Sequence, residues 1–172
     1  MNFKNLLTTL VITSIMGLVV SCSKPQGEDK FGISKNAKAA VYIRKTPCYG
    51  KCPSYEATLY GNGQVLYNGK SNVDLLGRYL FTMPVKTINN IQNQARRAGY
   101  HKLNKEYMLN PDLPSTITTI TFDGKTSTIE VQGNAPDRLK DLLVFIDQEI
   151  ITMTKEQPGK KLPEDDTMPD IK

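Results

Sequence analysis

The chain has 172 residues, a formal net charge of +5 and three cysteines. Once an N-terminal leader and two low-complexity ends are set aside, about 115 residues remain, which is one domain of ordinary size and excludes a multidomain protein. A domain of that size can bury a single core without further covalent support. The positive excess lies near the front of the chain, between Ser23 and Lys45.

Residues 1–21 have the pattern of a bacterial signal peptide. A short start with Lys4 precedes a 15-residue apolar stretch, which is too short and too rich in hydroxyl groups to span a membrane. The stretch ends in V-V-S-C, which resembles the lipobox of bacterial lipoproteins. That resemblance implies cleavage before Cys22 and attachment of lipid to its sulfur. Ordinary secretion with cleavage after Ser21 is the alternative.

The predicted lipid anchor also indicates the location and the partners. Ser23 after Cys22 is similar to lipoproteins that are sent to the outer membrane, so we expect a lipid-anchored protein of the bacterial cell envelope at that membrane. Its expected partners are the membrane, through the lipid on Cys22, and another envelope protein or ligand; nucleic acid is excluded in this compartment. Basic residues near the anchor would attract anionic headgroups, or would simply keep a solvated tether soluble.

The two ends of the mature chain differ from its middle. Residues 22–38 lack periodicity and are rich in lysine, glycine and polar side chains, which predicts a flexible tether. Residues 155–172 contain three prolines and mixed charges, which predicts a disordered tail. We therefore expect a single domain over residues 39–154.

Two cysteines lie in the sequence T-P-C-Y-G-K-C-P. Lipidation of Cys22 leaves Cys48 and Cys52 as one pair in a compartment that permits disulfides. Gly50 between them gives the backbone turn freedom, and a proline on each side of the pair blocks a helix. We predict a local disulfide, which would contribute about 2 kcal/mol through the unfolded state and would shape one loop.

The domain alternates between strand and helix patterns. Apolar alternation predicts four strands, then two more after the first helix, with hairpin turns at Asn62-Gly63 and at Asp123-Gly124 of type I′. Apolar residues at helical spacing predict a helix after Pro84 that stops at Gly99, and a second helix after Pro136. The order ββββαββα predicts a two-layer α+β domain, in which two helices pack on one face of a mostly antiparallel sheet. The predicted apolar stripe of the second helix is Leu139, Leu142, Leu143, Ile146, Ile150 and Met153.

The cysteine sequence carries a family resemblance. T-P-C-Y-G-K-C-P-S-Y at 46–55 resembles the TPC-x-G-x-CP-x-Y signature of domain-of-unknown-function family 6438, found mainly in exported bacterial proteins. Residues 61–69, 112–116 and 123–124 and the helix start at 135–136 are similar to the same family, so the resemblance covers residues 41–153. No activity, substrate or catalytic residue is established for that family, so the resemblance implies a domain and no function.

The same cysteines suggest an alternative metal site. Cys-x-x-x-Cys-Pro also resembles the copper motif of thioredoxin-like copper chaperones, which would make Cys48, Cys52 and His101 the ligands of copper(I), with Met108 as a further soft ligand. In that family the motif leads into a helix, whereas Pro53 here opens a strand. A thiol-handling role is disfavoured as well, because reactive dithiols usually have two residues between the cysteines.

The expected function is a binding role. The sequence has no hydrolase, P-loop or dinucleotide motif, so we expect a protein that is not an enzyme and has no cofactor. Tyrosines are frequent in the strand region, and strand alternation directs about half of them away from the core. We therefore predict a non-enzymatic binding or envelope-assembly module, whose contact surface includes Tyr49, Lys51 and Tyr55.

Overall fold

A computed structural model describes residues 27–110 and 112–163 of the chain. The predicted signal peptide and Cys22 lie outside these residues. The described part is an α+β domain with two helices and one mostly antiparallel sheet of eight strands, and it contains the predicted order ββββαββα. Two two-residue strands, Glu106–Tyr107 and Lys160–Lys161, add to that order. The elements are β1 Ala39–Lys45, β2 Ser54–Tyr60, β3 Gln64–Ser71, β4 Gly77–Thr82, α1 Val85–Ala98, β5 Glu106–Tyr107, β6 Thr116–Phe122, β7 Lys125–Val131, α2 Asp137–Glu156 and β8 Lys160–Lys161.

The sheet has the strand order β5-β7-β6-β1-β2-β3-β4-β8, and its pairs are antiparallel except β5 with β7. Lys45 at the end of β1 pairs with Tyr55 near the start of β2 and with Thr116 at the start of β6. Tyr55 also pairs with Gly69, near the end of β3. Three segments therefore meet at one end of the sheet: the β1–β2 connection, the β3–β4 connection and the chain before β6. We call this the loop end. The β2–β3 and β6–β7 turns lie at the opposite end, which we call the hairpin end.

The two predicted hairpin turns are present. Asp123 and Gly124 have φ values of 50° and 70°, so both adopt the left-handed conformation of a type I′ turn. In the other turn, Gly63 has a φ of 92°, and a Cβ there would come 2.8 Å from the backbone oxygen of Met83. That position therefore requires glycine for its conformation and for its close packing.

The main core lies between the two helices and one face of the sheet. All six residues of the predicted α2 stripe are buried, as are Ile88, Ile91, Ala95 and Ala98 of α1. They pack against Val41, Ile43, Ala57, Leu59, Val65, Ile120 and Ile129 from the strands. Gly99 ends α1 with a φ of 66°, as predicted. In the part of the chain that the structure covers, neither helix is long and apolar enough to cross a membrane.

The outer face of the sheet is partly covered by residues 27–38, which we call the N-terminal arm. Phe31 and Ile33 are 5% and 3% exposed, and they form a second apolar cluster with Tyr60, Leu66 and Leu162. The Asp29 carboxylate accepts hydrogen bonds of 2.8 Å from the backbone N–H groups of Phe31 and Ile33, which fixes the turn of the arm. The flexible-tether prediction is therefore wrong for residues 27–38, because apolar side chains on the outer face bind the arm. Residues 22–26 lie outside the described residues.

The segment after α2 also packs on the domain. β8 pairs with β4, the Leu162 N–H donates a hydrogen bond of 2.9 Å to the Arg78 carbonyl, and the Leu162 side chain is buried. Gly159 lies so close to Phe81 that a Cβ would come 2.5 Å from the ring. The disordered-tail prediction is therefore wrong for residues 155–162. Residues 155 and 156 belong to α2, and strand pairing and one buried leucine hold the residues that follow it. Residues 164–172 are not among those described.

Candidate binding surface at the loop end

The loop between β1 and β2 is closed by the predicted disulfide. Cys48 and Cys52 are bonded, with their Cα atoms 5.7 Å apart. The Gly50 N–H donates to the Cys48 sulfur at 3.2 Å, and the Asn72 side-chain amide donates to the Cys52 carbonyl at 3.1 Å. The disulfide loop is thus linked to the neighbouring β3–β4 connection.

The stem of the disulfide loop is held by hydrogen bonds. The Ser54 hydroxyl donates to the Lys45 carbonyl at 3.0 Å. Thr46 and Ser115 share three hydrogen bonds. The Thr46 N–H and hydroxyl donate to the Ser115 carbonyl at 2.9 and 3.3 Å, and the Ser115 N–H donates to the Thr46 hydroxyl at 2.7 Å. The stem is therefore anchored to β1, β2 and the start of β6, while the tip projects.

The three predicted contact residues divide into two groups. Tyr49 at the loop tip is 99% exposed, and Lys51 is exposed as well. Tyr55 is only 2% exposed and stacks on Tyr67 with ring centroids 5.7 Å apart. Its inclusion in a contact surface is wrong, because strand alternation directs this side chain to the helix-covered face of the sheet.

Tyr55 instead belongs to a polar group beneath the loop. Its hydroxyl donates a hydrogen bond of 2.5 Å to Asp147 on α2, and the Lys45 ammonium lies 3.0 Å from the other oxygen of the same carboxylate. Burial and then the negative charge of Asp147 raise the pKa of Tyr55 well above its ordinary value, so the hydroxyl stays neutral and remains a donor. These three side chains fasten both strands of the loop stem to α2.

The loop end also carries exposed apolar side chains that the sequence pattern did not predict. Tyr49, Leu76, Met108, Leu109 and Leu113 are between 43% and 99% exposed, and they come from three separate connections that meet at this end of the sheet. The other large apolar side chains that the structure shows as exposed, Val85, Val144 and Ile151, lie on the helices. The sequence signal for the loop-end group is weak, because each leucine or methionine stands alone in a polar connection.

The connection before β6 is itself ordered by one side chain. The Gln132 amide oxygen accepts hydrogen bonds from the Leu109 and Asn110 N–H groups at 3.0 and 3.2 Å, and its nitrogen donates to the Leu113 carbonyl at 3.1 Å. Leu109 also covers Gly133, where a Cβ would come 2.4 Å from it. These bonds hold the exposed leucines in a defined arrangement.

A small cleft of about 140 Å³ adjoins the disulfide loop. It lies between the β2 and β3 strands and the last turns of α2, and its rim carries Asp74 and Lys155, 3.6 Å apart. Tyr55, Tyr67, Val73 and Ile150 are among its lining residues, so the cleft is largely apolar and aromatic. It extends the exposed apolar surface toward α2.

The structure does not bring the predicted metal ligands together. His101 lies at the hairpin end, where its ring stacks on Phe122 at 3.9 Å and its Nδ1 lies 2.9 Å from the Ser127 hydroxyl. Cys48 and Cys52 are bonded to each other at the loop end. Among the described residues, no group of three or more histidine, cysteine, aspartate or glutamate side chains is placed to hold a metal ion. The copper hypothesis based on His101 and the two cysteines therefore has no geometric support.

The fold and this surface define a small two-layer α+β domain with an apolar loop end. Residues 39–150, which span β1 to most of α2, match the family model described as Domain of unknown function (DUF6438), and the chain belongs to this family. The matched residues include the disulfide loop and both hairpins. No curated protein matches the chain.

Proposed function

We propose that this protein is a lipid-anchored, exported, non-enzymatic binding domain that holds a partner in the cell envelope through its loop end. The observation that carries the proposal is the gathering of Tyr49, Leu76, Met108, Leu109 and Leu113 at one end of the sheet. Five of the eight large apolar side chains that the structure shows as exposed lie on the loop-end connections, and such a concentration at one end of a domain is typical of an interaction surface. The expected partner therefore presents a mainly apolar surface.

The order of the loops supports binding rather than chance exposure. Four contacts hold the three connections before a partner arrives: the disulfide, the Thr46–Ser115 hydrogen bonds, the Gln132 amide and the Asn72 hydrogen bond to Cys52. A surface that is already ordered loses little conformational entropy on association. Tyr49 can bury a large ring while its hydroxyl finds a polar partner, which suits a mixed contact at the edge of an interface.

The anchor is supported by the V-V-S-C sequence that ends at Cys22. Growth of the producing cells with labelled palmitate tests it, because lipid should enter the protein at that cysteine. The Cys22→Ala variant should take up no label. Equal labelling of both proteins, or a mature N-terminus other than residue 22, would refute the anchor and leave simple secretion.

Site-specific photo-crosslinking in intact cells tests the binding surface. A photoreactive amino acid at position 49 or 109 should give discrete adducts of higher mass, because both positions lie on the proposed surface. The matched control is position 62, which is exposed in the β2–β3 turn at the hairpin end. Adducts that form equally from position 62, or only from it, would contradict the proposal.

A further inference from the structure

A second cleft, of about 730 Å³, lies at the hairpin end of the domain. It is bounded by the residues that follow α1 and by the β6–β7 turn. The polar and charged side chains along it include Arg96, His101, Lys102, Asp123, Lys125 and Ser127. This cleft is separate from the proposed binding surface, because it lies at the opposite end of the sheet.

The charge of the cleft is positive. Asp123 is the one carboxylate in the lining, and Arg96 already serves as its counterion through two hydrogen bonds of 2.8 and 2.9 Å. These hydrogen bonds lower the pKa of the Asp123 carboxyl, which keeps it ionised. Lys102 and Lys125 are exposed, and neither forms an ion pair with any residue that the structure describes. Two lysine charges are therefore left for an anion, beside the Ser127 hydroxyl and the His101 ring.

The N-terminal arm enters the domain at the same end. The Ser34 N–H donates to the Gln64 side chain at 2.9 Å, and Gln64 is the first residue of β3, next to the hairpin turn. The following residue, Lys35, bonds through its N–H to the carbonyl of Gly27 at 2.9 Å. Gly27 is therefore at the hairpin end, and Cys22 precedes it by five residues, or at most about 18 Å of extended chain.

We propose that the cleft binds the phosphate group of an anionic phospholipid in the membrane that carries the Cys22 anchor, which deepens the proposed function and rests on it. A lipid on Cys22 brings the hairpin end close to the headgroups, because the docked arm leaves only a short connection. Lysine charges near an anionic membrane surface are attracted to it, and the lysine ammonium binds phosphate as a point charge. The Ser127 hydroxyl already bonds His101 Nδ1 at 2.9 Å, so the two lysine ammonium groups make the contact with the phosphate.

This contact orients the domain. With the hairpin end against the headgroups, the disulfide loop and the exposed leucines face away from the lipid. The partner of the loop end is then reached from outside the membrane surface, and the lipid itself is not that partner.

Sedimentation with vesicles tests the proposal on the mature chain, residues 22–172, carrying Cys22→Ser so that no lipid is attached. Vesicles that contain phosphatidylglycerol should bind this protein, and vesicles of phosphatidylcholine alone should not. Added salt should weaken the binding because it screens exposed charges. The double variant Lys102→Glu, Lys125→Glu should bind at least about 30-fold more weakly, since each basic residue near an anionic surface contributes about fivefold.

The matched control is the double variant Lys51→Glu, Lys70→Glu, which makes the same change of charge on exposed lysines at the loop end. We expect it to retain binding within about threefold, because those charges would lie far from the lipid. An equal loss in both double variants would overturn the cleft as the contact, because binding would then follow net charge alone. Absence of binding to phosphatidylglycerol vesicles would also overturn it.

Titration with inorganic phosphate separates a lipid source from a soluble one. If phosphate alone shifts the amide resonances of Lys102, Lys125 and Ser127 while the vesicles do not bind, the ligand is a soluble phosphate and the membrane proposal is wrong. Vesicle binding with the expected difference between the variants supports it. Since the Cys22→Ser protein carries no lipid, vesicle binding is measured independently of palmitate labelling. Failure of the proposed anchor can therefore be told apart from failure of the proposed lipid contact at the cleft.

Discussion

Removal of one hydroxyl beneath the disulfide loop should destabilise the domain measurably. Tyr55→Phe keeps the ring, its burial and its stacking on Tyr67, and deletes only the hydrogen bond of 2.5 Å to Asp147. The change therefore isolates the polar contribution of a side chain that is 2% exposed.

The size of the effect follows from the surroundings of Asp147. A hydrogen bond to a charged group contributes about 1.5–3 kcal/mol. The carboxylate keeps Lys45 at 3.0 Å, and its side chain is 23% exposed, so water can replace part of the lost donor. We therefore expect the free energy of unfolding to fall by about 1.5–2 kcal/mol, in the lower part of that range.

Urea denaturation followed by circular dichroism measures this change, and the slope with urea should be the same for both proteins. Tyr42→Phe is the matched control, because Tyr42 is only partly buried and its hydroxyl makes no hydrogen bond within the described residues. The control should change stability by less than about 0.5 kcal/mol. A Tyr55→Phe effect no larger than that of the control would refute the assigned role of the Tyr55–Asp147 bond.

The same pair of proteins should differ in alkaline solution. Because the pKa of Tyr55 is raised in the folded state, its contribution to stability is complete below the ordinary tyrosine pKa and is lost as pH rises above it. Above pH ~10 the wild-type free energy of unfolding should therefore fall faster than that of Tyr55→Phe, by about 1.4 kcal/mol per pH unit. Parallel pH profiles would show that this hydroxyl is not held in its neutral form.

Three further outcomes are expected. Ile146→Asp should unfold the domain, as seen by circular dichroism, because it buries an unpaired carboxylate at a position with 0% exposure. Asp141→Ala on the exposed face of α2 should lower the free energy of unfolding by less than about 0.5 kcal/mol. If Asp141→Ala unfolded the domain and Ile146→Asp did not, the assignment of the buried face of α2 would be wrong. Native protein isolated without reductant should resist alkylation, and Cys48→Ser should lower the free energy of unfolding by about 2 kcal/mol without loss of the fold; ready alkylation of both thiols would count against the disulfide. Phe31→Ser should make the N-terminal arm sensitive to limited proteolysis, since it removes an anchor that is 5% exposed, and unchanged cleavage rates would show that the arm is held by other contacts.

Local signals predicted the parts of the fold that depend on neighbours in sequence. Asp123-Gly124 specified its turn because both residues tolerate positive φ, and the α2 stripe repeated often enough to define a buried face. Phe31 and Leu162 carried no such signal. Each is a single apolar residue in a polar segment, and its partner surface on β2 and β3 exists only after the sheet has formed.

The candidate surface was predicted in part for a similar reason. Tyr49 followed from the composition of the disulfide loop, since a tyrosine between two bridged cysteines has little room to turn inward. Alternation showed that Tyr55 faces one side of its strand, but not which side the helices cover. Leu76 and Leu109 are far apart in sequence, and only the strand order places their connections at the same end.

The outer-face cluster has a consequence for where the stable unit begins and ends. Phe31 and Ile33 precede the matched family region, residues 39–150, and Leu162 follows it, yet these three side chains cover Tyr60 and Leu66 of that region. A fragment limited to residues 39–150 would expose the apolar side chains of Tyr60 and Leu66 to water and would also lose the last turns of α2. A fragment must therefore include both the arm with Phe31 and Ile33 and the chain as far as Leu162 if we are to expect a monodisperse protein when it is produced alone.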